Sequence, residues 1–91
     1  MSIFVVTYDL SAPGRNYNDL IDHLKSYGTY SRPVESTWLI STSMNAGQVR
    51  DAAKKYLDAN DKLLVIALAT NWASTGLRDA TNEWLRNHVA S

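Results

Sequence analysis

Ile3, Phe4, Val5, Val6 and Tyr8 crowd together with only Thr7 between them. An apolar run without alternation is the pattern of a central strand covered on both faces, here over residues 2–9. Its last residue is a carboxylate, Asp9, and Ser11-Ala12-Pro13-Gly14 stops the chain at once. The period then changes. Tyr17, Leu20, Ile21, Leu24 and Tyr27 recur at helical spacing, with Asn16 at the expected N-cap, Asp19 near the positive helix end and Gly28 at the expected C-cap. Residues 29–32 form a short β-prone run halted by Pro33, which suits an edge position, and residues 36–42 form a second clear strand. The two are close enough to pair as a hairpin around Pro33-Val34-Glu35. Asn45 and Gln48 have the spacing of a capping box, and Val49, Ala52, Ala53, Tyr56 and Leu57 supply the apolar face of a second helix. That helix leaves Arg50, Asp51, Lys54 and Lys55 to solvent. After turn chemistry at residues 58–61, residues 62–68 return to a continuous apolar run of strand length. From Ser74 onward, Leu77, Ala80, Thr81, Trp84, Leu85 and Val89 predict a further helix over about 74–90, with Trp72 near its start.

The order β-α-β-β-α-β followed by a helix predicts an α+β fold of ferredoxin-like type, with two helices on one face of a four-stranded antiparallel sheet. A single domain is expected over residues 1–91, its core at about 2–68 and the C-terminal helix outside it. Two helices cover only one face of such a sheet, yet the first and last strands are apolar on both sides. The other face must be buried by the C-terminal helix, by a second subunit, or by both, and both are expected.

Composition narrows the picture. With 45% hydrophobic and 20% charged residues the chain reads as an ordinary folded protein, and no apolar run approaches the length of about 18 residues that spans a bilayer. The first residues read as a strand, not a signal peptide, and a cytoplasmic location is expected. The absence of cysteine excludes disulfides and thiolate zinc sites. Zero formal net charge argues against a tight duplex-DNA binder, since phosphate neutralisation needs a basic surface. A local basic patch can still be assembled from Arg15, Arg32, Lys54, Lys55, Arg78 and Arg86.

Several short motifs share an order along the chain: Val5-Val6-Thr7-Tyr8-Asp9-Leu10, Arg15, Leu20 and Leu24 leading to Tyr27-Gly28, Ser36-Thr37-Trp38, and Asp61-Lys62-Leu63-Leu64-Val65. Over roughly residues 3–68 they resemble the superfamily of CRISPR-associated protein 2, in particular a small branch of bacterial and phage proteins labelled the SinR family. Virulence-associated protein D, a toxin-type ribonuclease family, is a more distant likeness. The resemblance implies a homodimer whose two Asp9 carboxylates face each other near the twofold axis and bind one divalent metal, Mg²⁺ or Mn²⁺. It further implies a metal-dependent endonuclease acting on RNA or DNA phosphodiesters. Asp9 would be the catalytic and metal-holding residue, Arg15 would stabilise the developing charge, and Tyr8, Ser11 and Ser36 would contact substrate. Two features depart from the pattern: a single basic residue, Arg15, where typical members carry two, and Trp38 where Phe is common. The terminal helix also differs from the swapped terminal strand of many members. These departures keep open an alternative, a catalytically silent dimeric adaptor or a phage-encoded binder of a host protein.

The same residues have plainer readings. Asp9 can simply end a strand and accept backbone hydrogen bonds in the following turn. Tyr8 is expected to pack, and neither Ser11 nor Ser36 has a His and acid partner in sequence that would make it a nucleophile. Glu35 is expected to be solvated. The indoles of Trp38, Trp72 and Trp84 are expected in core or interface. His23 is expected on the solvated side of the first helix, and His88 near the end of the last; two histidines on separate helices give no metal-ligand spacing.

Overall fold

The structure is a computed structural model that describes residues 1–11 and 17–89. The elements run β1 (Ser2–Asp9), α1 (Asn18–Lys25), β2 (Tyr30–Val34), β3 (Thr37–Thr42), α2 (Ala46–Lys54), β4 (Lys62–Ala67) and α3 (Asp79–His88). β1 pairs antiparallel with β3 on one side and β4 on the other, and β2 pairs antiparallel with β3, so the sheet order is β2-β3-β1-β4. That is the interleaving of two split βαβ units, the ferredoxin-like arrangement, with α3 added. The unbroken apolar run of β1 takes the central position, where both neighbours satisfy its backbone.

The pleat sorts the side chains. Phe4 and Val6 point to the face covered by α1 and α2, where they join Leu20, Leu24, Trp38, Ile40, Val49 and Ala53 in the main core. Ile3 and Val5 point the other way, toward a smaller cluster in which Leu39 packs on Leu85 and Val89 of α3, with Trp72 and Trp84 alongside. α3 thus lies over the β2–β3 half of the second face, and Arg78 just before it donates to the carbonyl of Arg32 in β2 at 3.3 Å. Among the described residues nothing equivalent covers β4. Leu64 and Ile66, paired with Thr7 and Val5 on this face, are 53% and 51% exposed.

Local boundaries follow backbone chemistry. α2 begins with the capping box: the Gln48 amide donates to the Asn45 side chain and the Asn45 amide to the Gln48 side chain, each at 2.9 Å. α1 departs from expectation. It starts at Asn18 with Tyr17 in the cap position and no side-chain cap bond, while Asn16, the expected cap, lies outside the described residues together with the Pro13-Gly14 turn. Gly28 adopts φ +82 two residues after the cap residue Ser26, where a left-handed residue turns the chain toward β2. Pro33 lies within β2, an edge strand as expected, and the hairpin turns at Glu35-Ser36. The last helix is shorter than the expected 74–90. Gly76 at φ +76 breaks the backbone, and helical structure starts only at Asp79.

His23 also departs from expectation. Its ring sits 5.4 Å from the Tyr27 ring and 5.1 Å from that of Tyr56, which extends from the end of α2 across the seam with α1. Nε2 of His23 and the hydroxyl of Tyr27 are buried without hydrogen-bond partners. No described helix is long and apolar enough to cross a membrane.

Candidate functional site

Asp9 is the last residue of β1, opposite Lys62 of β4, and it is exposed. Its strand end holds it on a ridge between two depressions. On one side an open pocket of about 470 Å³ lies between the end of β1, the first turn of α1 and the β2–β3 hairpin. Tyr8, Asp9, Leu10, Tyr17, Ile21, Arg32, Glu35 and Ser36 line it. On the other side a hollow of about 240 Å³ lies along β4, bounded by Thr7, Tyr8, Asp9 and residues 62–64.

The polar edge of the larger pocket is built on Trp38. This indole is fully buried, and its Nε1 donates to the hydroxyl of Tyr8 at 3.1 Å. Tyr8 passes the bond on, donating to the carbonyl of Glu35 at 3.3 Å. The same carbonyl accepts from Nε of Arg32 at 2.8 Å. The Arg32 guanidinium carbon lies 5.0 Å from the Trp38 ring centroid, a cation–π arrangement that orients it without neutralising it. Among the described residues no carboxylate lies within ion-pair distance of Arg32; the ion pair found there is Arg50 with Asp51, on the solvated face of α2. Arg32 therefore brings to a pocket that Asp9 also lines a positive charge and donors that no described residue uses.

Ser36 lines the pocket, and its carbonyl accepts the Tyr8 amide at 3.1 Å. Ser11 sits elsewhere. Its amide and hydroxyl both donate to Oδ1 of Asp61, at 2.8 and 2.9 Å, and Tyr17 donates to the same oxygen at 3.0 Å. The Asp58 amide donates to the other carboxylate oxygen at 2.8 Å. These bonds, the Ser11 amide first, hold the Asp61 carboxyl down at about 2. Asp61 thereby ties the chain leaving β1 and the start of α1 to the turn before β4. Arg15 lies outside the described residues.

Of the residues singled out from the sequence, Tyr8, Asp9 and Ser36 meet in one pocket. Arg32 and Tyr17 join them there. Sequence spacing had placed both only generally, Arg32 in a loose basic set and Tyr17 on a helix face.

As a metal site, Asp9 offers one hard oxygen ligand suited to Mg²⁺ or Mn²⁺, with Glu35 lining the same pocket. Among the described residues no group of three or more His, Asp or Glu side chains is placed to hold an ion. An ion there would depend on waters, substrate oxygens or a second subunit for most of its shell, which suits Mg²⁺ and Mn²⁺ better than metals needing a closed protein cage. No family model matches the chain, and no solved structure matches it.

Proposed function

We propose that this chain is a homodimeric, metal-dependent nuclease acting on RNA or DNA phosphodiesters in the cytoplasm, related to the CRISPR-associated protein 2 superfamily. The observation that carries the reading is the pairing, in one pocket, of the Asp9 carboxylate with an Arg32 guanidinium that has no carboxylate partner among the described residues. Metal-dependent cleavage of a phosphodiester uses both: a cation to bind its oxygens and a carboxylate to hold a hard metal. Arg32 grips a phosphate oxygen while the Trp38 ring and the Glu35 carbonyl keep its side chain in place. Tyr8 and Tyr17 give the pocket aromatic walls against which a base can stack. Arg15 keeps the charge-stabilising role that the resemblance implies. Asp9 holds Mg²⁺ or Mn²⁺, which when bound supplies charge neutralisation at the phosphate and a water of lowered pKa.

The test is cleavage of single- and double-stranded RNA and DNA with Mg²⁺ or Mn²⁺, comparing the wild type with Asp9→Asn and Arg32→Ala. Asp9→Asn is expected to remove cleavage while leaving binding, and Arg32→Ala to weaken binding. Cleavage that persists unchanged in Asp9→Asn removes the carboxylate from the mechanism.

A second reading is favoured by the zero net charge and by the adjacent exposed pair Lys54 and Lys55 at the end of α2. Here the dimer is a catalytically silent adaptor that binds another protein through its outer helices. Binding would then survive Asp9→Asn and fail in Lys54→Glu/Lys55→Glu, and a partner lost only with Asp9→Asn returns the function to the carboxylate.

A further inference from the structure

β4 is an edge strand whose outer side no described strand pairs. The other edge is defended. β2 contains Pro33, its register with β3 is irregular between Ser31 and Val34, and the Arg32 carbonyl is taken by Arg78. β4 has no such device: its sequence Lys-Leu-Leu-Val-Ile-Ala contains neither proline nor glycine, and its one charge is at the end. An undefended edge of this kind is a template for another strand.

The ladder specifies what that strand must offer. The Leu68 amide donates to the Ile3 carbonyl at 2.8 Å. In an antiparallel pair the hydrogen-bonded positions alternate, so Ile66 and Leu64 also turn their backbone groups toward β1. Leu63, Val65 and Ala67 therefore turn their amides and carbonyls outward. A second copy of β4, antiparallel about a twofold axis at Val65, matches this row completely. Val65 meets Val65 of the other copy, and Leu63 meets Ala67 in both directions, so every outward group in the strand finds a partner. Shifting the axis to Leu64 brings Asp61 opposite Ala67, where the Asp61 amide is already used by the Asp58 carbonyl.

Side chains agree with the Val65 register. Leu64 of one copy falls opposite Ile66 of the other, joining the two half-exposed residues of each protomer into one apolar strip beside Val5 and Leu68. The two Lys62 side chains sit at opposite ends of the pair, about 20 Å apart at the usual rise per residue. α3 argues against stacking the open faces instead. A helix about 10 Å across stands on the β2–β3 half, and sheets packed face to face approach to about 10 Å.

We infer that two copies of this chain join through their β4 edges, antiparallel and centred on Val65, to form one continuous eight-stranded sheet. The inference rests on the dimer in the proposed function and changes its geometry. Three strand spacings and six residues of offset separate the two Asp9 carboxylates by about 25 Å, so each pocket acts within its own protomer and no symmetric aspartate pair forms.

Light scattering on the full chain gives the oligomeric state, and cysteine pairing gives the register, since the chain has no cysteine of its own. Leu64→Cys and Ile66→Cys proteins, mixed in equal amounts under mild oxidation, are expected to form the mixed disulfide about tenfold faster than either protein cross-links with itself, because residue 64 meets residue 66 across the axis. Leu64→Lys/Ile66→Lys sets like charges opposite each other and is expected to weaken the dimer by about tenfold or more while circular dichroism stays unchanged. Leu64→Lys/Ile66→Glu sets opposite charges there and is expected to recover much of the loss. A wild-type monomer of 10.2 kDa at micromolar concentration overturns both this inference and the dimer reading. A dimer that persists undiminished in Leu64→Lys/Ile66→Lys, or that shows no preference for the mixed disulfide, overturns the β4 pairing and leaves the dimer reading standing.

Discussion

Nε1 of Trp38 donates a hydrogen bond to the hydroxyl of Tyr8 at 3.1 Å, and this one contact joins the core to the edge of the pocket. Trp38 is fully buried, so its N–H has to find an acceptor inside the protein. The Tyr8 hydroxyl is that acceptor, and its own proton goes to the Glu35 carbonyl that also fixes Arg32. Packing of the β1–β3 pair therefore sets where the pocket's cation points.

Tyr8→Phe removes the acceptor and leaves the buried indole N–H unpaired, at an expected cost of about 1–3 kcal/mol in urea unfolding. Trp38→Phe added to Tyr8→Phe removes the orphaned donor as well, so the coupling measured in the double-mutant cycle should be favourable to the native pair. A cycle with zero coupling means that the contact contributes nothing to stability.

Asp61 couples stability to acid. Its carboxyl titrates at about 2 in the folded protein, below the ordinary value of 3.8, because the Ser11 and Asp58 amides bind the charged form, with further bonds from the Ser11 and Tyr17 hydroxyls. The unfolded chain thus takes up its proton first as pH falls. The stabilisation is complete above the unfolded value and is lost between about pH 4 and pH 2. Asp61→Asn keeps the shape and removes the charge. The variant should be less stable than wild type near neutrality, and the gap should narrow over that window in parallel urea titrations. A gap independent of pH would assign the loss to packing instead.

His23 gives a second, higher window. Burial against Tyr27 and Tyr56 lowers its pKa from the usual 6.5, and Lys55 adds to the effect. The folded state favours neutral imidazole, so the unfolded chain is protonated first as pH falls below about 6.5, and stability declines from there toward the folded-state pKa. His23→Phe keeps an aromatic ring between the tyrosines and removes the proton site. Thermal unfolding from about pH 7.5 to pH 5 should slope less steeply in the variant than in wild type. Equal slopes would remove His23 from the pH dependence.

Elements whose signal is local were legible from the amino-acid sequence alone. The crowded apolar residues within 2–9 had to form a strand inside the sheet, and Asp9 had to stand at its end, because hydrophobic continuity and turn residues act within a few positions of one another. The capping box of Asn45 and Gln48 and the edge position of Pro33 were equally plain, since each depends only on the backbone groups a residue can or cannot supply. The start of α3 was not. Leu77 has helical spacing to Thr81 and Trp84, but the left-handed Gly76 and the run into Asp79 delay the helix, and periodicity carries no information about φ.

Only the tertiary structure decided which surfaces meet. His23 has the spacing of a solvated helix position and is covered because Tyr56, thirty-three residues later, reaches it from the end of α2. Arg32 enters the pocket beside Asp9 because β1 and the β2–β3 hairpin are neighbours through β3, a proximity with no trace in the spacing of the two residues. The apolar character of both strand faces announced that a second layer was needed. That α3 settles over β2 and β3 and leaves Leu64 and Ile66 half exposed depends on where a loop of eleven residues, 68–78, delivers the helix. Local chemistry determines what each segment is, and the long-range packing of one segment on another determines what remains open to a partner.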